Sequence, residues 1–180
     1  GLRADAGADE RAARALGAQL RIDLHVERPE LGRGNVQARA REARYGTAEV
    51  MKAVQFAAAI GVKDVITTET DPRSEWAEKL SYDQRIFIVA EKLHDPVKMA
   101  ADYGVRILLE PHGPVTDSIK GLKDVMEMLG NPKSLGVNLY TGNSWLGGAD
   151  PVEMARVFKN RIHHVHWKDL GPEWEAKRGK

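Results

Sequence analysis

The 180-residue chain carries no cysteine, so neither a disulfide framework nor a thiolate metal centre is open to it. Its 27 basic and 26 acidic residues leave a net charge of +1, which gives no bias towards nucleic acid or an anionic membrane surface. At 42% hydrophobic and 29% charged it has the make-up of a globular domain. No apolar run reaches the roughly 18 residues of a membrane span, and the start lacks the apolar stretch of an export signal, so the cytoplasm is the expected compartment.

In chain order, short apolar runs alternate with longer helical patterns. Ala8–Leu20 reads as a helix, and "LRIDLHV" (Leu20–Val26) as the first strand. The glycine-rich "LGRGN" (Leu31–Asn35) reads as a turn. Thr47–Ile60 sets Val50, Val54, Ala57 and Ala58 on one helical face, and "DVITTE" (Asp64–Glu69) follows as a strand. Trp76–Tyr103 has helical character and is expected as two helices divided before Pro96, because the residue ahead of a proline disfavours helical torsions. After it come the strand "VRILLEP" (Val105–Pro111), a helix over Asp117–Leu129 and the strand "LGVNLYT" (Leu135–Thr141). A helix over Pro151–Phe158 has Asp150 as its cap and proline at its first position, and "IHHVHW" (Ile162–Trp167) is the last strand.

Three junctions share one design. In "AAAIGVKDV", "AADYGVRIL" and "EMLGNPKSLGV" a helix ends at a glycine suited to the left-handed position, and a strand begins directly after it. Strand–helix–strand repetition at this spacing implies parallel pairing through right-handed crossovers, hence an α/β fold. Five strands can form an open sheet but not a closed eight-stranded barrel, which takes about 250 residues. The chain starts just ahead of a helix and stops in "WEAKRGK", so a single domain over residues 1–180, truncated at both ends, is expected.

Sites in parallel α/β folds lie where strands end at their carboxyl side. Three ends here bear suitable groups: "EPHG" (Glu110–Gly113), "NLYTGNSW" (Asn138–Trp145) and "HHVHWKD" (His163–Asp169). Alternation along the last strand predicts His164, His166 and Lys168 on one face and His163, Val165 and Trp167 on the other. A carboxylate and an imidazole from different strands suit Zn²⁺ or, with waters, Mn²⁺. His25, near the end of the first strand, is a candidate for the same mouth, and Glu69 ends the second. Each also has a plain structural reading: an ion-paired or solvated glutamate, a histidine held by core hydrogen bonds.

The succession "ILLEPHG", "LGVNLYTGNSWLGG" and "IHHVHWKD" resembles the xylose-isomerase-like TIM-barrel family of sugar and sugar-phosphate isomerases and epimerases. Val105–Lys180 is most similar to the branch that holds the metal-dependent subunit of C-glycoside deglycosidases. The resemblance implies an α/β fold, a partial (β/α)8 TIM barrel of about five parallel strands with outer helices. It also implies one divalent metal (Mn, Zn or Mg) held by a Glu, an Asp, a His and a second Glu from four late strands. Glu110 and His166 fall on the first Glu and the His. Tyr140 stands where the family pattern has the Asp, and a phenol, neutral at pH 7, brings no charge. The second Glu belongs to a strand beyond the last one here. Metal binding in this chain is therefore expected to be weak or absent.

By the same resemblance, His112 is the catalytic base or proton shuttle in proton abstraction next to a carbonyl. Asn143 hydrogen-bonds sugar hydroxyls, Lys168 stabilises an oxyanion and Trp145 offers an apolar platform, with His25 as a further substrate contact. The partner is a small sugar or sugar derivative. Two alternatives stay open: elimination on a 3-oxo sugar, as in a C-glycoside deglycosidase, or a non-catalytic barrel fragment serving as a binding or structural module. An abasic-site endonuclease, related in fold, would need more His and carboxylate ligands and a basic face. Unpaired sheet edges make self-association into a homo-oligomer a further expectation.

Overall fold

The computed structural model of the chain describes residues 36–69 and 80–179, the side chains of 36–45 apart. The expected helix Ala8–Leu20, the strand Leu20–Val26 with His25, and the loop Leu31–Asn35 lie outside the described residues. Within them, β1 (Asp64–Thr67), β2 (Arg106–Leu109), β3 (Leu135–Tyr140) and β4 (Ile162–His166) form a parallel sheet in sequential order. The helices are α1 (Val36–Ile60), α2 (Tyr82–Tyr103), α3 (Ile119–Met128), α4 (Thr141–Leu146) and α5 (Pro151–Phe158), and a 3₁₀ turn spans Pro172–Lys177. This is part of a (β/α)8 barrel. Among the described residues no helix is long and apolar enough to cross a membrane.

The two faces of the sheet differ in character. Ile107, Leu109, Leu135, Val137 and Leu139 pack with Leu93 and Val97 of α2, Leu122 and Val125 of α3, and Met154 and Phe158 of α5 in one buried cluster. Parallel partners share a side, so the intervening residues line the other face: Leu108 with Gly136, then Asn138 with His164 and Tyr140 with His166. Three helices hand over to strands as their sequence implies, with Gly61, Gly104 and Gly130 at φ 78°, 64° and 76°. Each stops its helix where an L side chain would be strained.

Pro96 does not divide the helix. α2 runs unbroken from Tyr82 to Tyr103 with Pro96 buried inside it, started by a capping box between Ser81 and Gln84. A helical proline leaves the carbonyl four residues earlier without a donor, here that of Lys92. The hydroxyl of Thr47, on α1, donates to that carbonyl at 3.2 Å. A side chain from the neighbouring helix thus replaces the backbone bond that proline removes.

This substitution of partners can be checked by a double-mutant cycle in urea. Thr47→Val alone should lose about 1–2 kcal/mol, the cost of a carbonyl left without its donor. In the background of Pro96→Ala, which restores the backbone donor, the same change should cost well under half of that.

Candidate active site at the strand ends

The bulge between β3 and β4 sets the arrangement. Val137 pairs with Ile162 but the next residue, Asn138, pairs with His164, so His163 is an extra residue on β4. The bulge resets the phase of the strand. Ile162 packs with the helix-side core, whereas His164 and His166 stand on the opposite face beside Asn138 and Tyr140. It also overturns simple alternation for His163. Its ring lies over Gly136, where a built Cβ would meet its Cδ2 at 2.7 Å, so His163 shares the face of His164 and not the reverse one.

On that face a buried polar cluster forms around Asn138, which is fully buried. Its Nδ2 donates to Glu110 Oε2 at 2.5 Å and lies 3.0 Å from His166 Nδ1, and its Oδ1 is 3.0 Å from His164 Nδ1. Glu110 Oε2 and His166 Nδ1 are 2.7 Å apart. The imidazoles of His164 and His166 meet edge to face at 5.0 Å, and Tyr140 meets His166 likewise at 5.4 Å. Glu110 is only 7% exposed, so its charge is met by these partners and not by bulk water.

His112 follows on the loop after β2, and that loop is tied from below. The backbone N–H of His112 donates to Thr116 Oγ1, which in turn reaches the carbonyl of Glu110. Glu69, 1% exposed at the end of β1, accepts from the backbone amides of Val115 and Thr116. Gly113 has to be a glycine here, since any Cβ would run into the Glu69 side chain. Lys92 donates to the carbonyls of Thr68 and Glu69 at 3.2 and 2.8 Å. Burial pushes its ammonium below the usual lysine range, against the pull of the Glu69 charge. Glu69 thus anchors the loop and does not line the mouth.

Asn143, on α4, sends Nδ2 to the Pro111 carbonyl (3.2 Å) and to His112 Nδ1 (2.9 Å), so its amide nitrogen is committed to protein. Trp145, two residues further, stacks against the guanidinium of Arg178 at 5.0 Å, a different neighbourhood from that of Asn143. Lys168 clasps the Thr141 hydroxyl with its backbone N–H and carbonyl, and its stem covers Gly142. Its Nζ lies 5.5 Å from the centre of the Tyr140 ring. The structure therefore gathers Glu110, His112, Asn143, His166 and Lys168 at one end of the sheet.

Two residues of this region escape a motif reading. Asn138 is an amide inside the apolar run "LGVNLY", and that interruption is the signal that could have marked it. Asp117 carries no such signal. Its Oδ1 is buried without a hydrogen-bond partner, and its side chain packs against Gly147. Burial pushes its carboxyl up to about 6; the Glu69 charge adds to the rise, and the Gly113 backbone and His112 oppose it.

A metal centre makes a harder demand. Glu110 and His166 supply two donors, Tyr140 stands in the third position, and a catalytic zinc takes three protein ligands. Among the described residues no group of three His, Cys, Asp or Glu side chains is placed to hold an ion. These residues do not make up a metal centre by themselves.

A family model described as a xylose isomerase-like TIM barrel matches residues 3–179. The chain belongs to that family. An inosose dehydratase of Geobacillus kaustophilus is 29% identical over 104 residues, 56% of this chain and 33% of the relative. The chain thus spans about a third of the length of the curated relatives it matches. Among solved structures, a D-tagatose 3-epimerase-like protein superposes with a TM-score of 0.61 at 19% identity, over 89% of this chain and 61% of the other. The IOLI protein, solved with a bound zinc atom, gives 0.57 at 17%, over 73% and 46%. At such identities the likeness is one of fold.

Asp117 makes the stability of the chain depend on pH with a definite sign. Its folded pKa of about 6 lies above the ordinary 3.8, so the native state holds the proton more tightly. The resulting stabilisation is complete below about pH 4 and is lost as pH rises through 6. Urea unfolding of wild type against Asp117→Asn across that window should show a relative fall on the order of 1–2 kcal/mol in wild type only.

Proposed function

We propose that the chain handles the substrate in an enzyme that removes a proton next to a carbonyl in a sugar or cyclic polyol. The Glu110–His166 contact carries the reading. An ionised carboxylate only accepts, so Oε2 takes one N–H from Asn138 Nδ2 and another from His166 Nδ1, the two nitrogens lying side by side 3.0 Å apart, and the neutral ring keeps a lone pair on Nε2. The His166 side chain is 43% exposed, which leaves that edge open to a ligand. A carboxylate holding an imidazole through Nδ1–H fixes its tautomer and stabilises the imidazolium that forms when the ring takes a proton.

The proton leaves carbon for His166 Nε2 while the C–H electron pair moves towards the carbonyl oxygen, giving an enediolate or enolate. Returning the proton to the neighbouring carbon isomerises the substrate, and returning it to the other face of the same carbon epimerises it. Loss of a β-hydroxyl, protonated as it departs, yields water and the dehydrated ketone; loss of an aglycone from a 3-oxo sugar follows the same course. That common first step is what a dehydratase and an epimerase-like relative share, and it supports a polyol or sugar ketone as the substrate class.

Divalent-metal binding is proposed to be weak in this chain, because two donors give an ion little charge and few bonds. Tyr140→Asp would add a carboxylate on the strand between the other two. Calorimetry with Zn²⁺ or Mn²⁺ should show affinity rising on the order of tenfold or more. An unchanged affinity, with Glu110→Ala also silent, would remove these residues from any metal role.

The reaction itself is read by NMR in deuterium oxide, following deuterium entry beside the carbonyl of inososes and keto sugars. His166→Gln should slow entry by about 10²–10⁴-fold, the usual worth of a positioned base. Equal rates for the variant and wild type would exclude His166 as the base.

A further inference from the structure

We propose that Asn143 fixes His112 as its Nε2–H tautomer, so that His112 meets a ligand as a hydrogen-bond donor to oxygen and not as a base. The argument begins with Pro111. Its carbonyl can only accept, so the Asn143 atom 3.2 Å away must be the amide nitrogen. Flipping the amide would set Oδ1 against that carbonyl oxygen, two acceptors face to face. The amide orientation is therefore decided by a backbone group that cannot change its role.

The same nitrogen lies 2.9 Å from His112 Nδ1. An NH₂ group has two hydrogens, one for each neighbour, and no lone pair to offer. His112 Nδ1 must accept, and the proton of the neutral ring is then on Nε2. Protonating Nδ1 as well would set two donors against each other. The backbone that carries the ring is held in place, since Thr116 accepts from the His112 N–H and Glu69 accepts from the amides of Val115 and Thr116. The exposed edge of His112 accordingly carries N–H.

His112 and His166 therefore take opposite tautomers: the Asn138 amide beside His166 Nδ1 donates to Glu110, whereas the Asn143 amide beside His112 Nδ1 donates to the ring itself. Glu110 accepts from His166 and leaves a lone pair on its Nε2; Asn143 donates to His112 and leaves a proton there. A neutral imidazole N–H beside a carbonyl polarises it and gains strength as negative charge grows on the oxygen. His112 is thus assigned to the carbonyl oxygen of the substrate, and Asn143 is the positioning residue that makes it a donor. The choice of a carbonyl rests on the function proposed above; the tautomer does not.

The test uses the chain labelled with ¹⁵N-histidine, with the His112 signals identified from a His112→Gln variant. Free imidazole already leans towards Nε2–H, so the decisive comparison is with Asn143→Asp, whose carboxylate accepts where the amide donated. Wild type should show Nδ1 unprotonated and Nε2 protonated, Asn143→Ala a partial mixture, and Asn143→Asp the reverse assignment. A protonated Nδ1 in neutral wild type, or an assignment in folded Asn143→Asp identical to wild type, overturns the proposal. If Asn143→Asp does not fold, Asn143→Ala decides: a tautomer ratio equal to wild type overturns it. Where wild type shows exchange at the carbon beside the carbonyl, the reversal should lower kcat by at least tenfold with KM little changed. A reversed tautomer with unchanged kcat overturns the donor role. Lack of exchange in wild type tells against the proposed function and leaves the tautomer result standing.

Discussion

One buried amide organises the end of this sheet. Asn138 sits in the middle of β3 with no exposure, where an unsatisfied amide would cost several kcal/mol, and both polar atoms of its side chain have a partner, Nδ2 in Glu110 and Oδ1 in His164. Those partners come from both neighbouring strands: Glu110 from just past β2, His164 from β4. The need to satisfy one amide thus fixes the lateral position of a carboxylate and an imidazole at once, and His166 meets the same carboxylate. The β4 bulge is the backbone condition for it, since without the extra residue His164 and His166 would follow Ile162 to the helix side.

Around this cluster, a second set of contacts places His112. The loop after β2 puts Val115 into the core and is tied down by a carboxylate that gives up its solvent for backbone amides. Glu69 plays that part, with Lys92 on the adjoining carbonyls. The result is an "EPHG" turn in which Glu110 points at β3 and β4 while His112 turns to α4. A glutamate and a histidine two residues apart therefore serve different neighbours, although they stand side by side in the sequence.

Much of this was legible before any coordinates. The strands around Ile107, Val137 and Val165, the glycine stops at Gly61, Gly104 and Gly130, and the cap at Asp150 all follow from local rules whose physics is local. What was not legible depends on groups distant in sequence. Pro96 should break a helix in isolation, and it does not because Thr47 supplies a donor across an interhelix contact. His163 changes face because of a register shift that no single-strand pattern encodes. The resemblance points Asn143 at sugar hydroxyls, and nothing in the sequence tells that its nitrogen also bonds Pro111 and His112. Tyr140 could be recognised as a departure from the family pattern, while its edge contact with His166 needed the folded strands.

The account stands on the direction of one hydrogen bond, from His166 Nδ1 to Glu110. Proton NMR in cold water at neutral pH, on ¹⁵N-histidine-labelled chain, reads it directly. The account predicts a low-field proton on His166 Nδ1, slow to exchange with solvent, that is lost or moves sharply upfield in Glu110→Ala and persists in His112→Gln. A neutral His166 that carries its proton on Nε2, with Nδ1 bare beside Glu110, would contradict it.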